Sequence, residues 1–348
     1  MLSNEMSIIS VDDVWSTPYP IVDVRAPIEF QKGHIPTAIN IPLLDDSQRH
    51  QVGLRYRTHG REAAITLGLE LVGPQMAALA QRGKDISQGQ PVVVYCQRGG
   101  KRSQSVSWLW SQLGIEVFRL DGGYKAFRHS VATELECPRR LLLLAGGTGV
   151  GKTECLQELE SHAESVLDLE GLANHKGSAF GGIGVGSQPA QAHFENRLAV
   201  ALHRLPTTQS IWVESESRRI GTVFLPDTFW QQMQQAPRIY LERRIQDRIE
   251  RLCADYQHAT TTDIEEALYN IRKRLGPQHY QRALAALSED DRRSIVEIVL
   301  EYYDRTYDFH RRASIDRIVS SVSVVDNHPI SELMALRSVQ DEKYSEIE

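Results

Sequence analysis

Short apolar runs separated by longer mixed stretches dominate the first part of the chain. Residues 20–24 (Pro-Ile-Val-Asp-Val) form one such run, and residues 38–42 (Ala-Ile-Asn-Ile-Pro) form a second that proline stops. Residues 91–95 (Pro-Val-Val-Val-Tyr) are apolar and mostly β-branched, the pattern of a strand covered on both faces. A helix with Trp108 and Trp110 is predicted over residues 103–113. A strand over 117–120, a turn at Asp121-Gly122-Gly123 and a helix over 124–135 follow. Pro138-Arg139-Arg140 reads as a junction, after which an apolar strand over 141–145 opens a second half. It feeds a glycine-rich turn and a helix from about Lys152, with further strands expected at 165–169, 210–214 and 238–241. From Glu242 the pattern is helical almost to the end, strongest over 265–275, 279–287 and 290–310, and the last dozen residues are expected to fray. Strands alternating with helices predict parallel α/β sheets.

A length of 348 residues suits two domains, each able to bury its own core, and the periodicity divides them as 1–136 and 137–348. No uninterrupted apolar run reaches the roughly 18 residues of a membrane span, so no membrane is expected. Met1-Leu2-Ser3-Asn4-Glu5 lacks the basic start and apolar stretch of a signal peptide, which makes the cytoplasm the expected compartment. The four cysteines stand apart without zinc spacing, so free thiols and no structural metal are expected. A net charge of −6 argues against a general nucleic-acid coat. Local patches at Arg98, Lys101 and Arg102, at Arg139 and Arg140, at Arg218 and Arg219, and at Arg238, Arg243 and Arg244 leave an RNA substrate open.

Two loops carry the candidate chemistry. The first is Tyr95-Cys96-Gln97-Arg98-Gly99-Gly100-Lys101-Arg102-Ser103, between a buried strand and a helix. Such a turn points backbone N–H groups inward, and the helix N-terminus adds partial positive charge. Gly99 and Gly100 let the loop curl, while Arg98, Lys101 and Arg102 add full charges. All of these favour a thiolate, so Cys96 is expected to be a nucleophile in an anion cradle. Cys-x5-Arg fits both a chalcogen carrier and a cysteine-dependent phosphatase.

The second loop, Gly146-Gly147-Thr148-Gly149-Val150-Gly151-Lys152-Thr153, satisfies G-x4-G-K-[ST] between a strand and a helix. Its amides would wrap a diphosphate, Lys152 would reach the terminal oxygens and the Thr153 hydroxyl would ligate Mg²⁺. The usual acidic partner has two candidates, Asp168 with Glu170 and Glu214, and the sequence does not choose between them. Polar segments at 171–182 and 214–221 each follow a strand, where open α/β sheets bind ligands. They contribute His175, Lys176, Ser178, Phe180, Glu214, Ser215 and Arg218 as substrate-binding candidates, beside Gly99, Gly100, Lys101 and Ser103 of the first loop.

Asp23-Val24-Arg25-Ala26-Pro27-Ile28-Glu29-Phe30 and Gly33-His34-Ile35-Pro36-Thr37-Ala38-Ile39-Asn40-Ile41-Pro42 strongly resemble the rhodanese domain, over roughly residues 10–133. That resemblance favours chalcogen transfer at Cys96. Three further segments belong to the pattern: Asn174-His175-Lys176-Gly177-Ser178-x-Phe180-Gly181, Gln188-Pro189-x-Gln191-x-x-Phe194-Glu195-Asn196 and Glu214-Ser215-Glu216-Ser217-Arg218. Together with the two loops they resemble the tRNA 2-selenouridine synthases across nearly the whole chain. The resemblance implies a rhodanese-like domain followed by a P-loop NTPase-like α/β domain with a helical C-terminal region. It implies conversion of 2-thiouridine to 2-selenouridine at the wobble position of the tRNA anticodon. It further implies S-geranylation with geranyl diphosphate, then selenation from selenophosphate with a Cys96 perselenide. Arg98 and Arg102 would act with Cys96, and the enzyme that makes selenophosphate would be a partner. A C10 chain also needs an apolar pocket, for which Phe180, Phe194, Trp212, Phe224, Phe229 and Trp230 are candidates. The competing readings are an ATP-dependent tRNA sulfurtransferase and a P-loop regulatory protein with an idle rhodanese domain.

Overall fold

The computed structural model describes residues 7–178, 180–324 and 329–345. The chain divides into two compact units, Met1–Leu135 with Ala190–His203, and Glu136–Pro189 with Arg204–Glu348.

Unit 1 is built on strands β1 (Ile8–Ile9), β2 (Ile21–Asp23), β3 (Ile39–Asn40), β4 (Val92–Tyr95) and β5 (Val117–Leu120). They form one parallel sheet in the order β1-β5-β4-β2-β3. β4 lies at its centre, and all four of its residues are buried, as its apolar sequence requires. Helix Gln191–Arg204 begins beyond the expected domain junction, yet residues 190–203 belong to unit 1. It buries Phe194, Asn196, Leu198, Ala199 and Leu202, a face that sequence division at residue 136 had assigned to the other half.

Unit 2 contains β6 (Leu141–Ala145), β7 (Val166–Leu167), β8 (Ile211–Glu214), the short antiparallel pair β9 (Arg219–Ile220) and β10 (Val223–Phe224), β11 (Arg238–Glu242) and β12 (Ile318–Ser323). The main sheet is parallel, in the order β12-β11-β6-β8-β7. β6 is central and fully buried, so the loop after it opens at the carboxyl edge of the sheet. Beneath that loop, Cys155, Leu156 and Leu159 of helix Lys152–Ser161 join the core with Leu142 and Leu144. Helices Thr261–Leu275, Pro277–Ser288 and Arg292–Ala313 supply a second apolar cluster.

Several expectations are corrected. The C-terminal region is not helical throughout: β12 interrupts it and pairs with β11, with β-branched Ile318, Val319 and Val322 in its run. Helix Ile330–Ser345 extends into the last dozen residues and buries Gln340; residues 346–348 and the first six residues lie outside the described set. Leu169 starts a helix rather than extending β7.

A long helical stretch after β3 was not anticipated. Asp46–Val72 bends at Gly60 (φ 83°), passes through the 3-10 turn Gly73–Gln75 and continues as Met76–Ser87. This stretch holds an 18-residue window apolar enough to cross a membrane by length and composition, with mean hydropathy 1.4 and 11% of it buried. A search for uninterrupted apolar residues misses that window because Thr66, Glu70 and Gln75 break the run. The bend and the 3-10 turn prevent one straight helix from forming there.

Candidate functional site

Cys96 sits where β4 ends, in the turn to helix Lys101–Ser111, and is 3% exposed. Its Sγ lies 3.2 Å from Ser103 Oγ and 3.8 Å from the Gly100 carbonyl oxygen. The turn after β5 shapes the loop from outside, because the Tyr124 and Lys125 amides donate to the Cys96 and Gln97 carbonyls. Gly123 holds φ 60°, and a Cβ there would lie 2.3 Å from the Cys96 oxygen and 2.5 Å from the Gly99 nitrogen. Sequence reading took Gly123 for an ordinary turn residue, while its packing makes it part of the loop's wall.

The charges around Cys96 differ in their freedom. Arg102 is held by Glu29, with Nη1 donating to Oε2 at 2.6 Å and Nη2 to Oε1 at 3.3 Å. Its pairing, with Arg49 alongside, keeps the Glu29 carboxyl below its ordinary range although burial opposes this. Arg98 and Lys101 are exposed. Beneath the loop lies a buried pair, Asp23 and Arg25, 0% and 2% exposed. Arg25 donates to Asp23, to the Gly33 carbonyl and to Gln97 Oε1, and its guanidinium stacks 3.9 Å above the Tyr124 ring. Asn196 donates to the Tyr124 hydroxyl at 2.9 Å and to the His34 carbonyl at 2.8 Å. Helix Gln191–Arg204 therefore supports the cysteine loop through Tyr124, whereas Gln188 bonds to Ala173, Ile220 and Thr222 of unit 2.

In unit 2 the loop Gly146 to Thr153 joins β6 to helix Lys152–Ser161. Gly146, Gly149 and Gly151 hold φ of 146°, 80° and 99°, which side chains would resist. Lys152 Nζ donates to the Gly146 oxygen at 3.1 Å. Burial works against its ammonium, but neighbouring Tyr307, Glu216, Glu170 and Glu214 raise its pKa overall. Val150 packs into the core, and Thr148 offers its carbonyl to Arg248 Nε at 2.8 Å. Arg248 is fixed by Asp304, Arg251 pairs with Glu154, and Arg243 donates to the Val150 oxygen. Of these three arginines the sequence analysis singled out Arg243 alone. Arg244, Arg248 and Arg251 recur at helical spacing after β11, a signal that was available.

Both acidic candidates meet at this site. Thr153 Oγ1 donates to Glu170 Oε2 at 3.3 Å, and the Glu170 amide donates to Glu214 Oε1 at 2.6 Å. Asp168 instead caps helix Leu169–Ala173. Burial, then Glu216, pushes the Glu170 carboxyl up to about 8. Burial and Asp168 push Glu214 well up, and burial raises Glu216. Glu214 Oε2 is buried without a hydrogen-bond partner.

The remaining candidates separate. A narrow apolar pocket is lined by Thr148, Ser178, Phe180, Leu252, Tyr256, Val299 and Tyr303 among others. A wider groove holds His175, Ser215, Glu216 and Arg218, with Arg272, Lys273 and Arg274 on its rim. Burial lowers the His175 pKa, and its Nδ1 is buried without a partner. Lys176 is exposed, and Arg218 is paired with Asp227. Of the aromatic candidates for an apolar pocket, Phe180 lines the narrow one and Trp230 the groove. Phe194 is buried in unit 1, Trp212 and Phe229 are core residues, and Phe224 is exposed. The other cysteines behave as apolar residues: burial pushes Cys155 up to about 12 and raises Cys253.

Residues 11–130 match the family model of the rhodanese-like domain, and residues 139–332 match that of the tRNA 2-selenouridine synthase AAA domain. A tRNA 2-selenouridine synthase of Pseudomonas fluorescens (strain Pf0-1) is 38% identical over 342 residues, covering 88% of this chain and 92% of that protein. One from Ectopseudomonas mendocina (strain ymp) is 39% identical over 345 residues, covering 88% and 91%. Among solved structures, a rhodanese-related protein of Thermoplasma volcanium aligns at 21% identity and a TM-score of 0.23, covering 36% of this chain and 92% of that one.

Proposed function

The chain belongs to the tRNA 2-selenouridine synthase family, and from that premise we propose that it is a tRNA-modifying enzyme that replaces the sulfur of 2-thiouridine with selenium at the wobble position. The two loops take one half-reaction each. The P-loop binds geranyl diphosphate, and the thiocarbonyl sulfur attacks its first carbon. The carbon–oxygen bond breaks and its electron pair leaves with the diphosphate, where the loop amides, Lys152 and Arg248 stabilise the charge.

The observation that carries this reading is an apolar pocket that Thr148 of the phosphate loop lines together with Phe180, Leu252, Tyr256, Val299 and Tyr303. An apolar pocket bordering the phosphate loop suits a hydrocarbon diphosphate better than an adenine nucleotide. Thr153 and Glu170 offer hard oxygen donors suited to Mg²⁺. Among the described residues no group of three His, Cys, Asp or Glu could hold a metal ion, so the diphosphate and water would complete its shell. When bound, Mg²⁺ would neutralise charge on the departing diphosphate.

Alkylation turns a poor leaving group into a thiol that departs easily. Selenophosphate, held at the Cys96 loop, then attacks the same base carbon through its selenium; the carbon–sulfur bond breaks and the geranyl thiolate leaves with a proton, and water cleaves the selenium–phosphorus bond to give 2-selenouridine and phosphate. Arg102, held by Glu29, and the exposed Arg98 and Lys101 favour the anionic donor. The enzyme that makes selenophosphate is the expected supplier, and the cytoplasm, where tRNA is, the expected compartment. Nucleoside mass spectrometry of treated thiouridine RNA tests the division of labour. Cys96→Ser is expected to accumulate S-geranyl-2-thiouridine, whereas Lys152→Ala blocks its formation. Equal loss of both steps in Cys96→Ser would refute the scheme.

A further inference from the structure

The helical stretch after β3 contains a segment that the fold does not use. Ten consecutive residues, 53–62, are all exposed, so nearly three turns of chain present no packed face. Helices in proteins draw most of their stability from an apolar face, and this segment has none buried. It leaves Leu54 47% and Tyr56 58% exposed. Between Asp46 and Glu62 there is no acidic residue, while Arg49, Arg55, Arg57 and Arg61 stand with His50 and His59. Four arginines thus stand in a stretch without an acidic residue, in a chain of net charge −6. Arg49 is engaged by Glu29, but among the described residues Arg55, Arg57 and Arg61 carry no ion pair.

We propose that this arm is a docking surface for the tRNA backbone, with Arg55, Arg57 and Arg61 contacting phosphates and Tyr56 stacking on an accessible base. The proposal rests on the tRNA reading above and adds a contact surface separate from both reaction loops. Charge complementarity selects the partner. Guanidinium groups pair with phosphate oxygens bidentately, and an exposed aromatic among cations is the composition that grips unpaired nucleotides. A lipid surface is the other polyanion such a helix meets. It requires charges on one face and apolar groups on the other. Here Arg55 and Arg57 are two residues apart, on opposite sides of the helix, with Leu54 and Tyr56 interleaved between them. That arrangement suits a ligand that wraps the arm.

The test measures binding of full-length thiouridine tRNA to the full chain by fluorescence anisotropy across a salt series. Three variants are compared with the natural sequence: Arg55→Ala/Arg57→Ala/Arg61→Ala, Tyr56→Ala and, as a control on exposed arginines elsewhere, Arg204→Ala/Arg282→Ala. Each phosphate contact contributes roughly 0.7–0.9 to the slope of log Kd against log salt. The triple variant is therefore expected to lower the slope by about 2 and weaken binding about tenfold to a hundredfold near 0.1 M salt. Tyr56→Ala should weaken binding with the slope intact, and Arg204→Ala/Arg282→Ala should leave both unchanged. These positions are exposed and bury nothing, so circular dichroism should show every variant folded. If the natural chain binds tRNA and the triple variant binds with the same affinity and slope, the arm proposal falls while the functional reading stands. If the natural chain fails to bind tRNA at all, both fall. Arginine-dependent binding to phosphatidylglycerol vesicles with unchanged tRNA affinity would overturn the proposal in favour of a membrane surface.

Discussion

Replacing Arg25 by methionine should destabilise unit 1 severely without touching the Cys96 loop's own sequence. The natural side chain donates to Asp23 through Nε and Nη2 at 2.6–3.0 Å and to the Gly33 carbonyl at 2.7 Å. Methionine fills similar volume but leaves the Asp23 carboxylate, 0% exposed, without its countercharge. Removing one member of a buried ion pair costs about 3–5 kcal/mol, because the surviving charge stays desolvated. With a urea slope of about 2 kcal/mol/M, the unfolding midpoint should fall by roughly 1.5–2.5 M. Cys96 is buried, so the rate at which its peptide is alkylated along a urea gradient reports unit 1 unfolding by mass spectrometry. The second half of the test is Asp23→Leu/Arg25→Met, which removes both charges and should recover a good part of the loss. A midpoint shift under about 0.5 M for the single variant would refute the reasoning, as would a double variant no more stable than the single one.

Gly123→Ala should distort the cysteine loop, since φ 60° and a contact 2.3 Å from the Cys96 oxygen both oppose a side chain. The expected outcome is slower selenation by about a hundredfold with geranylation intact, seen as accumulated geranylated nucleoside; a strained residue costs about 1–3 kcal/mol. An unchanged selenation rate would show that Gly123 does not shape the loop. Glu170 sets a pH dependence in unit 2. Its carboxyl titrates near 8 in the folded chain against an ordinary value of 4.5, so the native state holds more protons than the unfolded one in between. Stability should therefore fall as pH rises from about 4.5 to 8, and Glu170→Gln should flatten that slope in urea midpoints measured across the range. A slope of the opposite sign would mean that Glu170 is not held protonated by burial and Glu216.

What the sequence disclosed, and what it hid, follows from how local each constraint is. The phosphate loop and β6 were legible because positive φ at Gly146, Gly149 and Gly151 and burial of all five β6 residues are dictated within one short stretch. The same holds for β4 and Cys96. The supports of these loops were harder to see because they come from distant segments. Asn196 reaches Tyr124 across 72 positions, and Arg248 reaches Thr148 across 100. Only the fold reveals that such residues share a site. β12 was missed because it pairs with β11 after a long helical stretch, although its β-branched run was on view. The arm at residues 53–62 was missed for the opposite reason: it has no buried face, and periodicity detects helices through burial. A helix that its own core does not require is legible only through its charges. Arg55, Arg57 and Arg61, in a stretch without an acid between Asp46 and Glu62, are the signal that a hydropathy reading passes over, and all three are exposed.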